Sequence, residues 1–500
     1  MEKIQIKNLK SITDSGIIDI KPITVFVGQN SSGKSSLIRC FPLFKQSAES
    51  KILGTVLWSG KYVDYGSFDE SLNYDAQNSE QKEISFSFTY HTPKNSVRHY
   101  FLEGTPVKVT IDVSGDEYKK NSYTNITYEI HGSSISMRIT TDLKIVSAYI
   151  NGNDFTKQIT EIYRAFKSYS IIPILYSNAR SISQATTPYS ALAKEIKTHV
   201  HHRTSEEKIH RISQALRFAD DDSIKRNLTN KAFVGDHAAA KILNWSTEDI
   251  AFKNIRDLII LSNLERIIDE VSEQLISHFL ATKYITPLRA AADRYYRVQN
   301  TSIDELDPNG SNLAMFLRAK SELEIQEMNA WLVNEIGFSI DISGSHGHAS
   351  IFVLDHVSRI RTNIADTGFG VSQILPVLVQ IWQYSKVQAY RLRKSIVPIT
   401  IIIEQPELHL HPKMQSRVGE TFCKAIKMAE NIGLQLRIIV ETHSKDIIDS
   451  IGRCVENGII KTESTAIYLI NKEKKFNISR AYFDAGGFLL NWPYGFFDGA

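Results

Sequence analysis

Cysteine is scarce: Cys40, Cys423 and Cys454 are the only three in 500 residues. Three scattered thiols cannot build a disulfide framework or a zinc knuckle, so they are expected to be buried packing residues in a reducing cytoplasm. Long apolar runs are also missing. The longest, around "SIVPITIII", is strand-sized and too short to cross a bilayer. The N-terminus "MEKIQIKNLKSI" alternates charge with isoleucine and lacks the apolar centre of a signal peptide. Charge of one sign is missing too: a formal +3 attracts phosphates usefully only where basic residues cluster on one face. Tandem repeats and low-complexity tracts do not occur. What remains is an ordinary globular composition, long enough for about two or three structural units.

The opening forty residues carry two short alternating patterns, "IQIKNL" and "GIIDI", then the continuous apolar run "ITVFV". Such a run ahead of a glycine-rich loop predicts a strand buried on both faces. "SSLIRCFPLFKQS" then begins as a helix, with Pro42 expected to kink it or end it early. Residues from about 84 to 150 alternate or run β-branched between polar turn clusters and predict antiparallel strands. From about 180 to 280 the pattern turns helical. "TSEEKIHRISQALRF" opens with a capping-box pattern, Thr204 to Glu207, and apolar residues recur at three- and four-residue spacing up to "SHFL". Sustained heptads for a long coiled-coil arm are not present. Strands return with "YITPLRAAADRYY", followed by a helix over roughly 312–336, a hairpin around "FSIDISGSHGHASIFVLD", and a closing β-region.

The strongest chemical signal is "GQNSSGKSS". Gly28, Gly33, Lys34 and Ser35 fit G-x-x-x-x-G-K-[ST] between a buried strand and a helix. The glycines let backbone N–H groups wrap phosphates, Lys34 reaches the β- and γ-phosphates, and Ser35 can ligate Mg²⁺. The second is "IIIEQPELHLHP", which delivers Glu404 to the end of an expected central parallel strand, where P-loop NTPases keep a carboxylate on the Mg²⁺ side. A third strand, "RIIVETHS", ends in Glu441, Thr442 and His443; that histidine reads either as a satisfied structural residue or, given the matching strand-end context, as a γ-phosphate contact. In "DTGFGVSQ" the glycines and Ser372 precede an apolar helix, an arrangement that reads either as an anion-binding nest or as a plain loop.

Together and in this order, these segments resemble the ATP-binding cassette heads of SMC, RecF and OLD-type ATPases. They are most similar to compact bacterial AAA-family ATPases with a split head, among them the ATPase subunits of Septu-type and retron-associated antiphage systems. The resemblance implies an α/β fold: an ABC-type P-loop ATPase head split by a helical insertion, with an antiparallel β region. Residues 1–150 would form the N-terminal part of the head, 151–280 the insertion, and 281–500 the C-terminal part. It implies ATP and Mg²⁺ as cofactors. Gly28, Asn30, Ser31, Ser32, Gly33, Lys34, Ser35 and Ser36 match the nucleotide-binding loop, and Ser35 and Glu404 the metal ligands. Gly370 and Ser372 match the segment that completes a partner subunit's site, His443 the switch histidine, and His411 falls near the D-loop. "YITPLR", "DPNGSNL" and "GGFLLNWPYGFFDG" look like features of the same subgroup.

One position departs from the wider family. Gln405 stands where a glutamate would polarise the attacking water, and an amide orients water but cannot accept a proton at neutral pH. Glu407, two residues on, is the candidate substitute. The resemblance implies an ATP-dependent homodimer or higher even-numbered oligomer that controls a separate effector, an HNH nuclease or a retron component, with DNA as a candidate partner. The competing expectations are a non-hydrolysing ATP-switched scaffold or a RecF-like DNA-repair clamp; the motor subunit of a membrane transporter is disfavoured, because the signature and the split head look unlike transporter cassettes, so no membrane partner is expected. The Asp-x-Asp pair of a Toprim nuclease is not found among Asp446, Asp449, Asp484 and Asp498. The histidines at 199, 201, 202, 210, 346 and 348 lack the cysteine or carboxylate frame of a zinc site and read as solvated. The basic stretches "HVHHR" and "AYRLRK" (389–394) read as solvated surface, with phosphate contact as the alternative.

Overall fold

The computed structural model describes residues 1–52, 54–77, 82–94, 102–115, 122–167, 171–177, 187–298, 303–345, 347–387, 397–472, 476–493 and 496. The basic stretch at 389–394, His346 and Asp498 lie outside them. The chain forms two compact units, one of Met1–Leu9, Phe44–Gly60 and Tyr65–Leu280, the other of Lys10–Leu43, Lys61–Asp64 and Ala281–Ala500. The first 150 residues therefore contribute to both. The glycine-rich loop belongs with the C-terminal half, and the antiparallel strands share a unit with the helices that follow them.

In the first unit, strands Lys3–Leu9, Ile84–His91, Pro106–Ser114, Tyr123–Ile130, Ser133–Thr140 and Ile145–Ile150 pair antiparallel with their neighbours. Ile84–His91 alternates buried and half-buried residues almost to its end, as a sheet with one covered face requires. The cover is the helix Ile250–Leu280, 31 residues long. Tyr90 donates its hydroxyl to Val271 O at 3.0 Å, and Phe44, Phe86, Phe88 and Phe279 form one aromatic cluster. Shorter helices, Ser190–His199, Glu206–Ala215, Asp221–Leu228 and Asp236–Leu243, lead into it. The cap expected at Thr204 falls one residue later. Ser205 Oγ accepts from Lys208 N, which puts Glu207 one position too early to close a capping box.

The second unit is built on a sheet whose strands are β1 (Ile23–Gly28), β2 (Thr282–Ile285), β3 (Ile399–Glu404), β4 (Leu436–Glu441), β5 (Thr465–Lys472), β6 (Phe476–Phe483) and β7 (Leu489–Leu490), in the spatial order β2-β3-β4-β1-β5-β6-β7. β2, β3, β4, β1 and β5 run parallel, while β6 and β7 are antiparallel additions. Every residue of β1 and β3 is buried, as their unbroken apolar runs predict for strands covered on both faces. The helices that position the site are α1 (Lys34–Ile38), α2 (Phe369–Trp382), α3 (Pro412–Asn431) and α4 (Lys445–Glu456).

The interruption expected near Pro42 is present: the first helix stops at Ile38, the chain turns at Arg39 and helix resumes as Cys40–Glu49, with Pro42 in its first turn, where a missing N–H breaks no intrahelical bond. One helix expectation changes. The helix expected over 312–336 is two, Leu313–Arg318 and Glu322–Glu335. Ser321 starts the second with a complete capping box to Glu324, a strong local start signal in the middle of an otherwise periodic stretch.

Candidate nucleotide-binding site

The register of the parallel strands brings three chain ends to one edge of the sheet. Glu404 pairs with Glu441 across β3 and β4, and Glu441 with Phe26 across β4 and β1. In parallel sheets, ligands bind in the crevice beyond the carboxyl ends of the strands. That crevice is present as a cleft of about 410 Å³ lined by Ser11, Asn30, Ser31, Ser32, Gly33, Lys34, Ser35, Ser36, Gln405 and Glu441.

The loop after β1 owes its shape to its glycines. A Cβ on Gly28 would lie 2.1 Å from Ile470 O on the neighbouring β5, and Gly33 sits at φ 106°, where a Cβ would also meet Ser11 Oγ at 2.6 Å. Ser31 takes the left-handed region as well, at φ 62°. Backbone N–H groups turned inward by such alternation form an anion-binding concavity. Ser32 Oγ is buried and has no hydrogen-bond partner among the described residues. Lys34, nearly fully buried, donates to Gly28 O at 3.0 Å and Gln29 O at 2.7 Å. Burial pushes its ammonium below the ordinary range, while Glu441 and Glu407 pull it back up. An unpartnered hydroxyl, a buried ammonium and a cradle that any side chain would fill all suit a polyphosphate and its cation.

The acidic residues divide by environment. Ser35 donates its hydroxyl to Glu441, at 3.0 Å from Oε1 and 2.8 Å from Oε2. Burial raises the Glu441 carboxyl to about 7. The charge of Glu404 adds to the rise, and Ser35, Lys34 and Arg39 oppose it. Glu404 is engaged elsewhere. Arg39 grips it with two bonds, Nε to Oε1 at 2.7 Å and Nη2 to Oε2 at 2.6 Å, and Tyr284 donates to Oε1 at 2.6 Å. Burial, and then the charge of Glu404, holds the Tyr284 phenol above its ordinary range. Arg289 donates Nη2 to Glu404 O at 2.9 Å, and its Nε and Nη1 have no partner among the described residues. Burial lowers this guanidinium to about 10 despite the opposing charges of Glu407 and Glu404.

Gln405 follows Glu404 in the left-handed region, at φ 45°, and donates its backbone N–H to Glu441 O at 2.8 Å. That conformation turns the chain off the strand and puts Gln405 on the cleft wall. Glu407 does not line the cleft. It accepts from Thr442 Oγ1 at 2.8 Å and His443 N at 2.7 Å, which ties the loop after β3 to the loop after β4. Burial raises its carboxyl above the ordinary range, against those hydrogen bonds. His443 is half-buried, with Nε2 unpartnered among the described residues. Burial, and then the charge of Lys34, lowers its pKa, which favours the neutral imidazole.

Gly370 and Ser372 are not part of this lining. Both lie in the first turn of α2, after the N-cap Gly368. Ser372 is buried and donates its hydroxyl to Phe369 O at 3.0 Å, while Phe369 is exposed, its ring tilted against that of His409. His411 caps α3, its ring Nδ1 accepting from Lys413 N. The histidines at 199–202 gather around Glu195 and Trp245 or each other, and the described residues contain no cluster of three metal-ligating side chains.

Sequence reasoning missed Arg39, Tyr284 and Arg289 as parts of the site. Tyr284 and Arg289 bracket the "YITPLR" segment, whose resemblance was the one signal available. Arg39, five residues beyond Lys34, carried none.

A strained glycine-rich loop between a buried parallel strand and a helix, with a lysine, serine hydroxyls and an acidic strand end converging on one cleft, defines a P-loop nucleotide-binding α/β protein. The chain belongs to the AAA ATPase domain family, whose model matches residues 1–448. Among solved structures it is similar to one described as an SMC head bound to the C-winged helix domain of ScpA. Identity there is 12%, with 97% of this chain and 98% of that chain covered and a TM-score of 0.36. It is also similar to the SMC head domain from Thermotoga maritima, at 10% identity, 96% and 97% coverage and a TM-score of 0.31. Comparison with curated proteins gives no match. Among the described residues, no helix is long and apolar enough to cross a membrane.

Proposed function

We propose that this AAA ATPase binds ATP with Mg²⁺ in the cleft beyond β1, β3 and β4, turns it over slowly, and uses the nucleotide state to control a separate effector. The observation that carries the reading is the convergence of Ser32, Lys34, Ser35, Gln405 and Glu441 on that one cleft. The loop N–H groups and Lys34 would hold the phosphates, and Ser35 with an acidic strand end would hold Mg²⁺. When bound, Mg²⁺ neutralises phosphate charge and fixes the orientation of the phosphate oxygens. Gln405 would orient water by hydrogen bonding without removing its proton, which limits the rate.

The finer reading rests on sequence resemblance. The effector is a nuclease in a DNA-associated antiphage complex, the chain acts in the cytoplasm, and ATP joins two copies through Gly370 and Ser372. Two observations favour a second reading, a clamp that holds ATP without hydrolysing it: the cleft wall presents an amide at Gln405, and both oxygens of Glu407 already accept hydrogen bonds. Binding of a fluorescent ATP analogue to the wild type and to Lys34→Ala tests the common core. Removing one charge-assisted phosphate contact should weaken affinity about ten- to a hundredfold. Equal affinity in both would exclude the P-loop cleft as the nucleotide site.

A further inference from the structure

We infer that Glu441, at the end of β4, is the carboxylate that faces the nucleotide's divalent cation, and that Glu404 is a positioning residue which joins β3 to the loop helix through Arg39. The inference deepens the proposed function and rests on its reading that the cleft takes Mg²⁺ and ATP.

Three independent observations carry it. The hydroxyl of Ser35, the residue of this loop type that ligates Mg²⁺, contacts Glu441 through both carboxylate oxygens, at 3.0 and 2.8 Å. Glu441 lines the cleft, whereas Glu404 does not, although the two residues are register partners on adjacent strands. Finally, the acceptor capacity of Glu404 is largely used. Arg39 takes both oxygens in a fork at 2.7 and 2.6 Å, and Tyr284 adds a third bond at 2.6 Å to Oε1. A guanidinium fork matches a carboxylate in plane and in spacing. To reach a cation in the cleft, Glu404 would have to give up that fork and leave the buried Tyr284 hydroxyl without its acceptor. Glu441 has only to exchange a serine hydroxyl that is itself expected to turn to the same cation.

The division gives each acid one task. Glu441, hydrogen-bonded to Ser35 and joined through its carbonyl to the Gln405 N–H, sets the cation. Glu404 fixes the turn at Arg39, where the loop helix α1 ends, against the end of β3. Arg289, through the Glu404 carbonyl, holds the start of the Gln405 turn.

The test measures binding instead of turnover. A fluorescent ATP analogue is titrated into the full chain with excess EDTA and again with excess Mg²⁺, for the wild type, Glu441→Gln and Glu404→Gln, and each variant's fold is checked by thermal melting. Loss of a cation-holding group should cut the Mg²⁺ enhancement about tenfold or more. The expected result is that loss in Glu441→Gln, with affinity in EDTA within about threefold of wild type, and a retained enhancement in Glu404→Gln with a lowered Tm. Retention in Glu441→Gln, or loss in Glu404→Gln, overturns the assignment. The Glu404→Gln arm decides alone if Glu441→Gln does not fold. A wild type that binds no analogue under either condition is a separate failure, of the nucleotide site itself.

Discussion

Gln405 combines two constraints that act on different atoms. Its backbone takes the left-handed region where the chain turns off β3, and the residue then lines the candidate cleft. The cost of that conformation, about 1–2 kcal/mol for a residue with a Cβ, applies to glutamate as well as to glutamine. A Gln405→Glu substitution therefore changes the chemistry of the side chain with little change in the fold. It is expected to raise phosphate release from ATP about a hundredfold or more, since a positioned general base contributes 10²–10⁴ to rate. Glu407→Ala separates two roles in the same assay. If Glu407 works only through its bonds to Thr442 and His443, the Gln405→Glu gain survives in the double variant at reduced stability. If Glu407 is the working base, turnover disappears in Glu407→Ala alone.

At the scale of elements, α3 and α4 pack so closely that one methyl group decides their contact. A Cβ on Gly419 in α3 would lie 2.0 Å from Ser450 Oγ and 2.8 Å from Ile447 O in α4. Ser450 Oγ donates to Ile447 O, so neither atom can simply swing aside. Gly419→Ala should force the helices apart and cost about 1–3 kcal/mol, read as a Tm lower by several degrees. An unchanged Tm would show that the two helices are not held at this separation. Because α4 begins directly after the His443 loop, a displaced helix should also weaken ATP binding.

For the whole molecule, the expected consequence of nucleotide is a change of assembly. If the segment at Gly370 and Ser372 completes the site of a second copy, size-exclusion chromatography should show an even-numbered species with ATP that Lys34→Ala does not form. Identical elution of both proteins with and without ATP would remove the ATP-joined assembly. Exposed Phe369 beside the buried Ser372 places an apolar ring, instead of the serine hydroxyl, at the surface of that segment.

The sequence by itself determined the parallel core and the loop that follows it. Continuous apolar runs such as "ITVFV" and "ITIII" are stable only as strands covered on both faces. The spacing from Gly28 to Ser35 leaves one useful backbone path around a phosphate. It also made the antiparallel strands legible, through alternating or β-branched runs between polar turns, and the resemblance of the motifs named the family of ATPases. Tertiary structure decided which acid faces which partner. Glu404 and Glu441 both end buried apolar strands, and the local patterns, which by resemblance gave the cation to Glu404, do not show what each carboxylate touches. Only the folded register brings Arg39 and Tyr284 to one and Ser35 to the other, through contacts between residues 120 to 406 positions apart. Tertiary structure likewise joined the glycine-rich loop to the C-terminal half and the antiparallel strands to the long helix. Sequence periodicity shows that a face must be buried, but what buries it depends on long-range packing that short windows do not encode.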